Sequence, residues 1–222
     1  MQKHSILSAE SQPPDAHLYQ DKPFYRLILV TQRATQPLNT YLYFVERCAK
    51  AGITSVQLRE KNYSHAELVT FGKSLQAILK PYHIPLLIND NLRVALEIDA
   101  DGVHLGQTDG DPWKARKLLG PNKSIGLSID SIANLQHANT LPIDYVGVGS
   151  IFMTHNKTNI TTYWGLSGLT ELNKQSKHPI VAIGGIDDTN AADVYKAGAH
   201  GIAAIGAFHN SFDLEKTICQ MY

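Results

Sequence analysis

The chain has 222 residues, and its 20 Lys plus Arg balance its 20 Asp plus Glu, so its formal net charge is zero. A chain without a basic field is not expected to bind nucleic acid or an anionic membrane, and any anion has to be bound at a local site. Its two cysteines, Cys48 and Cys219, form no C-x-x-C pair. Neither a disulfide framework nor a zinc site is indicated, and both cysteines are expected to be buried.

The first residues are polar, carry Pro13-Pro14 and lack the apolar core of a secretory signal. No apolar run approaches the roughly 20 residues of a membrane-spanning helix. We therefore expect a flexible N-terminal leader at 1–23, one catalytic domain at 24–222, and a cytoplasmic location.

Short β-branched runs alternate with amphipathic stretches from Arg26 onward, a rhythm typical of βαβ units around a parallel sheet. The predicted strands lie at 26–31, 54–59, 85–88, 102–105, 124–128, 145–149, 180–183 and 201–205. The predicted helices lie at 41–51, 65–79, 91–98, 112–119, 132–138, 165–174, 189–197 and 213–221. Eight units favour a single α/β domain, a (β/α)8 TIM barrel, although a doubly wound open sheet gives a similar alternation. Because barrel chemistry sits at the C-terminal ends of the strands, the residues after each strand are the candidate site.

The second strand ends in Gln57-Leu58-Arg59-Glu60-Lys61, where polar side chains stand at positions that would otherwise be apolar. Such a cluster suits an anion. A solvated run of charges at a strand end is the structural alternative.

Two carboxylates follow the third and fourth strands. Asp109 comes 19 residues after Asp90, about one βα unit, so the two side chains are expected to lie side by side on the barrel rim. Two neighbouring carboxylates repel unless a cation lies between them, and Mg²⁺ is usually held by one or two carboxylates plus substrate phosphates. Taken singly, Asp90 also fits the N-cap of the next helix, and Asp109 fits a turn before Pro112.

Glycines follow the last two strands, at Gly184-Gly185 and at Gly206 after Ile205. Barrels frequently bind phosphate with the loops after strands seven and eight, where glycines let backbone N–H groups approach the anion. The structural alternative is that these glycines serve only tight turns.

The longest predicted loop, 150–164, follows strand six and carries Thr154, Asn156 and Lys157. A long polar loop at this face suggests a mobile lid, with Lys157 able to reach a leaving anion. His104 lies within an apolar strand, where a hydrogen-bonded core histidine is expected rather than a catalyst.

From residue 24 to the C-terminus the chain resembles the thiamine-phosphate synthase family. The motifs that carry this resemblance, in chain order, are Gln57-Leu58-Arg59-Glu60-Lys61, Asn89-Asp90, Asp101-Gly102-Val103-His104-Leu105-Gly106-Gln107 with Asp109, Asp144-Tyr145-Val146-Gly147-Val148-Gly149, and Ala182-Ile183-Gly184-Gly185-Ile186. The resemblance implies a transferase that joins hydroxymethylpyrimidine diphosphate to hydroxyethylthiazole phosphate, with Mg²⁺ as cofactor and pyrophosphate as leaving group. It also implies a dissociative substitution that needs little acid or base from the protein.

The resemblance implies site residues as well. Asp90 and Asp109 are expected to ligate Mg²⁺, and Arg59, Lys61 and Lys157 are the expected catalytic cations. The expected substrate-binding set comprises these three cations and Gln57, Asn89, Ser128, Thr154, Asn156, Gly185, Ile205 and Gly206.

At four positions the chain departs from the family pattern, at Asn91, Asp130, Asn156 and Gly206. Two rival functions remain open. A thiazole tautomerase-like barrel would place its catalytic His near Asp130, and it has no use for the two rim acids. A non-catalytic phosphate-ligand binding protein is supported only by the departures.

Overall fold

The computed structural model describes residues 23–154 and 163–222. Within them, eight parallel strands close into a barrel in the order of the chain, each pairing with the next and β8 pairing with β1. The strands are β1 (Leu27–Val30), β2 (Ser55–Leu58), β3 (Leu86–Asn89), β4 (Gly102–Leu105), β5 (Ser124–Ile129), β6 (Tyr145–Gly149), β7 (Ile180–Ile183) and β8 (Gly201–Ala204). The predicted (β/α)8 barrel is confirmed.

Helices surround this barrel. They are α1 (Leu38–Ala51), α2 (His65–Leu79), α3 (Leu92–Glu97), α4 (Pro112–Leu119), α5 (Ile132–Ala138), α6 (Gly165–Gln175), α7 (Ala191–Lys196), α8 (Gly206–His209) and α9 (Leu214–Gln220). A 3-10 turn, Lys80–Tyr82, extends α2.

Side-chain caps fix where several helices begin. Ser64 and Glu67 form a reciprocal capping box at the start of α2. Asn91, Asp111 and Ser131 each accept a backbone N–H in the first turn of α3, α4 and α5. These caps satisfy N–H groups that have no partner inside the helix.

The core has two layers. Apolar side chains between the strands and the helices form the larger cluster, whereas a smaller cluster fills the barrel interior. The interior cluster comprises Ile28, Val30, Leu87, Tyr145, Val181, Ala203 and Ile205. Strands that are covered on both faces have continuous apolar sequences, which is why the predicted strands are short runs rich in β-branched residues.

The eight predicted strands and eight predicted helices are all present, with ends that differ by up to three residues. The prediction missed α8 and placed Ile205 in β8. Ile205 instead has a helical backbone and immediately precedes α8. Cys48 is buried as predicted, but Cys219 is exposed, so its predicted burial is wrong.

Among the described residues, no helix is long and apolar enough to cross a membrane. Residues 1–22 of the predicted leader lie outside the described residues, and that domain boundary stays a prediction.

Candidate active site

A cavity of about 1120 Å³ opens at the carboxyl ends of the strands. Every predicted site residue that the structure describes lines it: Gln57, Arg59, Lys61, Asn89, Asp90, Asp109, Ser128, Thr154, Gly185, Ile205 and Gly206. Asn156 and Lys157 lie outside the described residues. The structure therefore brings residues from several βα units to one pocket, with a volume slightly above the usual range for small-molecule sites.

The two rim carboxylates lie together, as their spacing predicted. Asp109 Oδ2 accepts the Gly106 N–H at 2.8 Å, and a methyl group built on Gly106 would collide with that oxygen and lie 4.0 Å from Asp90 Oδ1. Asp90 has a left-handed backbone, with φ of 62°, and its N–H donates to the His104 carbonyl at 2.7 Å. Gly106 thus leaves the space in which both carboxylates face one another.

The structural alternative for Asp90 is wrong, because Asn91 and not Asp90 caps α3, accepting the Val94 N–H at 3.0 Å. The Asp109 carboxylate stabilises a turn by accepting the Gly106 N–H, as its structural alternative predicted. The same side chain also lies beside Asp90, so the two roles are compatible. One departure from the family pattern, Asn91, is explained by this cap.

Neighbouring charges and partial burial change the pKa of Asp90. It is open to the cavity on one side, yet partial burial and the Asp109 carboxylate raise its pKa from 3.8 to about 6, against the opposing charge of Arg59. Burial lowers the pKa of the Arg59 guanidinium, while the charges of Asp90 and Glu60 oppose that change. The acidic pair and Arg59 therefore form one electrostatic unit, with two negative groups against one positive group.

The motif after β2 divides between two faces. The Arg59 N–H donates to Thr31 Oγ1 at 2.9 Å, which fixes the strand end and leaves the guanidinium facing the cavity. Glu60 turns away and accepts the Arg33 N–H at 2.7 Å, tying the β1–α1 loop to the β2–α2 loop. Lys61 lies exposed at the cavity rim. Arg59 therefore does not belong to a solvated run of charges, which was the structural alternative for this motif.

At the opposite wall, Gly184 and Gly185 have positive φ angles of 102° and 67°. Side chains there would also meet the β6–α6 loop, because a methyl group on Gly185 would lie 2.7 Å from the Phe152 Cβ. Both glycines are required by backbone conformation and packing, which does not conflict with N–H groups facing the cavity.

Gly206 is the first residue of α8, the short helix that the sequence did not reveal. In many barrels the phosphate site combines the loops after strands seven and eight with the N-terminus of a short extra helix. Gly206 does not belong to the glycines with positive φ. Its N–H and that of Ala207 have no acceptor within the helix, since they belong to its first turn.

Sequence reasoning missed a hydrogen-bonded group beneath the cavity. His104 Nε2 lies 2.8 Å from Ser128 Oγ, and His104 Nδ1 lies 2.9 Å from the Tyr145 hydroxyl. His104 is a hydrogen-bonded core histidine, as predicted, but it contacts a predicted substrate-binding residue. The sequence feature that could have indicated this group is a pair of glycines. Gly126 and Gly147, on the two following strands, leave the space that the His104 and Tyr145 rings occupy.

A further departure also has a structural role. Asp130 follows β5 and accepts the Asn134 side-chain N–H at 2.6 Å, next to the Ser131 cap of α5. Its carboxylate lines the cavity but lies on a different strand end from Asp90.

Fold and site define a class, a (β/α)8-barrel enzyme with a cavity at the carboxyl ends of its strands. Residues 27–208 match the model of the thiamine monophosphate synthase family. A thiamine-phosphate synthase of Chlamydia caviae is 53% identical over 191 residues, covering 86% of this chain and 90% of that one. A thiamine-phosphate synthase of Vibrio parahaemolyticus is 45% identical, covering 82% and 89%. The solved structure of a thiamine phosphate pyrophosphorylase from Pyrococcus furiosus superposes with a TM-score of 0.78 at 34% identity, covering 89% and 94%.

The chain therefore belongs to the thiamine monophosphate synthase family, and its activity is that of a thiamine-phosphate synthase, a transferase of thiamine biosynthesis. These likenesses favour neither the tautomerase nor the binding-protein alternative.

Proposed function

We propose that the cavity joins hydroxymethylpyrimidine diphosphate to hydroxyethylthiazole phosphate, and that the residues described above divide this work between two walls. The observation that carries the proposal is the acidic pair beside Arg59 on one wall, opposite the glycine loops of β7 and β8 on the other. A diphosphate and a monophosphate need two separate anion sites in one cavity, and these walls supply them.

Asp90 and Asp109 would hold a Mg²⁺ ion. The residues fit this ion because their carboxylates face each other, and partial burial with that neighbouring charge raises the pKa of Asp90 to about 6. The described residues contain no group of three or more His, Cys, Asp or Glu side chains suited to a metal. A two-carboxylate site suits Mg²⁺, which completes its coordination with water and substrate phosphates. When bound, the ion supplies positive charge that stabilises the departing pyrophosphate.

Arg59 and Lys61 would bind the diphosphate from the β2 end, because both line the cavity on the side of the acidic pair. Gln57 is buried in β2 and Asn89 ends β3, so both are held by the barrel and would orient the pyrimidine portion. Thr154 lines the same cavity. By resemblance, Lys157 would contact the departing pyrophosphate and Asn156 would adjoin it.

The thiazole phosphate would lie at the opposite wall, against Gly185, Ile205 and Gly206. Backbone N–H groups at Gly185 and in the first turn of α8 are donors for its oxygens. No side-chain cation is needed for a monophosphate bound in this way.

The proposed chemistry is dissociative. The C–O bond between the pyrimidine methylene and the diphosphate breaks, the electron pair leaves with pyrophosphate, and the aminopyrimidine ring stabilises the methylene cation. The thiazole nitrogen then donates its lone pair to form the new C–N bond. The protein contributes mainly position and electrostatic stabilisation of the leaving anion, so no acid or base is required at the reacting carbon.

The test is thiamine phosphate formation from the two purified substrates during a Mg²⁺ titration. We expect product that depends on Mg²⁺ and is lost in Asp109→Asn but not in the control Asp99→Asn, whose residue precedes β4 at the other end of the barrel. Isomerisation of thiazole phosphate without coupling would establish the tautomerase instead. Diphosphate binding that is indifferent to Mg²⁺, without product, would establish the binding protein. The cytoplasmic location stays a prediction.

A further inference from the structure

We propose that Tyr145 and His104 are positioning residues that fix the Ser128 hydroxyl as a hydrogen-bond donor aimed at the pyrimidine diphosphate. This inference rests on the proposed function for the identity of the substrate. The direction of the hydrogen bonds is a property of the free protein and is argued from the contacts alone.

The chain of hydrogen bonds starts at Tyr145. Its side chain is 1% exposed, and within residues 23–154 and 163–222 its hydroxyl has one hydrogen-bond partner, His104 Nδ1 at 2.9 Å. A buried hydroxyl proton without an acceptor costs free energy, so the Tyr145 O–H donates and His104 Nδ1 accepts.

An accepting Nδ1 fixes the tautomer of His104. The ring is neutral, because it is buried and, in the described part of the chain, its two nitrogens contact only hydroxyl groups, so no anion in contact with the ring would balance a positive charge. A neutral imidazole carries a single proton, which must therefore lie on Nε2. Nε2 donates to Ser128 Oγ at 2.8 Å.

Ser128 accepts this bond, so its own proton is directed elsewhere. Ser128 is half-buried and lines the cavity, and in the described part of the chain His104 is the only partner of its hydroxyl. The remaining direction is the cavity. A hydroxyl that ordinarily rotates between donor and acceptor roles is thereby converted into a donor, suited to a lone pair on the pyrimidine ring or on a diphosphate oxygen.

The barrel makes space for this arrangement. A methyl group on Gly126 would collide with the Tyr145 ring and lie 2.5 Å from His104 Nδ1, and one on Gly147 would lie 2.8 Å from His104 Cε1. Two interior positions on β5 and β6 are thus left empty for two polar rings, where larger apolar side chains would fill a barrel interior.

The tautomer is measured directly by ¹⁵N-histidine NMR of the free full-length protein, with the His104 signals assigned from His104→Gln. We expect the Nε2–H tautomer in the wild type and a shift toward a mixture of tautomers in Tyr145→Phe. An Nδ1–H tautomer in the wild type would overturn the proposal, whatever reaction the enzyme performs.

The functional half is tested by a double-mutant cycle on thiamine phosphate formation. Tyr145→Phe should lower kcat/KM for the pyrimidine diphosphate by about fivefold to tenfold, the usual effect of losing one well-aligned hydrogen bond. In a Ser128→Ala background the same change should have almost no effect, because Tyr145 acts through Ser128. His104→Gln, which keeps one donor and one acceptor, should retain more activity than His104→Leu.

Tyr41→Phe is the matched control, since the buried Tyr41 hydroxyl also bonds a histidine, His209, at 2.8 Å, but not one that touches Ser128. Its effect should multiply with that of Ser128→Ala. If Tyr145→Phe is equally independent of Ser128, its role is structural and the proposal fails. Absence of thiamine phosphate formation in the wild type, with the expected tautomer, would instead refute the proposed substrates.

Discussion

Replacing Asp90 by Asn should stabilise the metal-free protein while impairing its function. Asn has nearly the same shape and tolerates the left-handed backbone of this position, where φ is 62°. The substitution removes the charge that partial burial and Asp109 disfavour.

The magnitude follows from the pKa of Asp90, which rises from 3.8 to about 6. Each pKa unit corresponds to about 1.4 kcal/mol, so this difference would amount to about 3 kcal/mol at neutral pH in a fully enclosed site. Asp90 is open to the cavity. Solvent screening reduces the expected gain to about 1 kcal/mol, which raises the Tm of a chain of this length by about 2–4 °C.

The pH dependence of the gain has a definite sign. Between 3.8 and about 6 the folded wild type binds more protons at Asp90 than the unfolded chain does, so its stability falls as the pH rises through this window. The amide of the Asp90→Asn variant cannot titrate. The stability difference should therefore be near zero at pH 4 and complete above about pH 6.

Urea unfolding in EDTA at several pH values measures this difference, with Asp99→Asn as the matched control. Asp99 also has a left-handed backbone, with φ of 52°, but its exposed carboxylate pairs with Lys123 at 2.9 Å. The control should lose up to about 1 kcal/mol or stay unchanged. An Asp90→Asn protein no more stable than the control at pH 7.5 would refute the repulsion between the two acids.

The functional cost of the same substitution is measured by ligand binding. Mg²⁺ with pyrophosphate should raise the Tm of the wild type but not that of Asp90→Asn.

Three further outcomes follow from the site. Asp109→Asn should lower turnover at least tenfold, equivalent to about 1.4 kcal/mol of lost stabilisation, and unchanged turnover across a Mg²⁺ titration would exclude a shared ion. Gly206→Ser should lower KM for thiazole phosphate by roughly twofold to tenfold with kcat nearly unchanged, and a raised KM would contradict a phosphate site at α8. Burial lowers the pKa of His209, so the unfolded chain takes up its proton first as the pH falls below 6.5. The stability advantage of the wild type over His209→Gln should therefore shrink between pH 7.5 and 5.5 in urea unfolding, and a constant difference would show that His209 does not titrate in this way.

The sequence predicted the barrel because its strands carry a strong local signal. Runs such as Leu27–Val30 are apolar on both faces, and each is followed by a helix of a length that returns the chain to the same end of the sheet. Rim positions follow from this topology alone, since the carboxyl ends of parallel strands lie together. That is why the spacing of Asp90 and Asp109 placed them correctly.

The prediction missed two features because their sequence signals are too short or too far apart in the chain to identify them. Four residues, Gly206–His209, are too few to show a helical period, and Gly206 suggests a turn as readily as a helix start. The contact of His104 with Ser128 joins neighbouring strands through their register, which places His104 beside Gly126 and Ser128 beside Gly147. Register is a property of the assembled sheet.

On the proposed function, a chain of zero net charge binds two anionic substrates through local groups in the cavity. The two walls of the cavity bind these anions in different ways. Side-chain cations such as Arg59 lie on the wall where negative charge develops as pyrophosphate departs, so their attraction grows toward the transition state. The backbone N–H groups around Gly185 and α8 face a phosphate whose charge does not change during the reaction, and they bind ground and transition states alike.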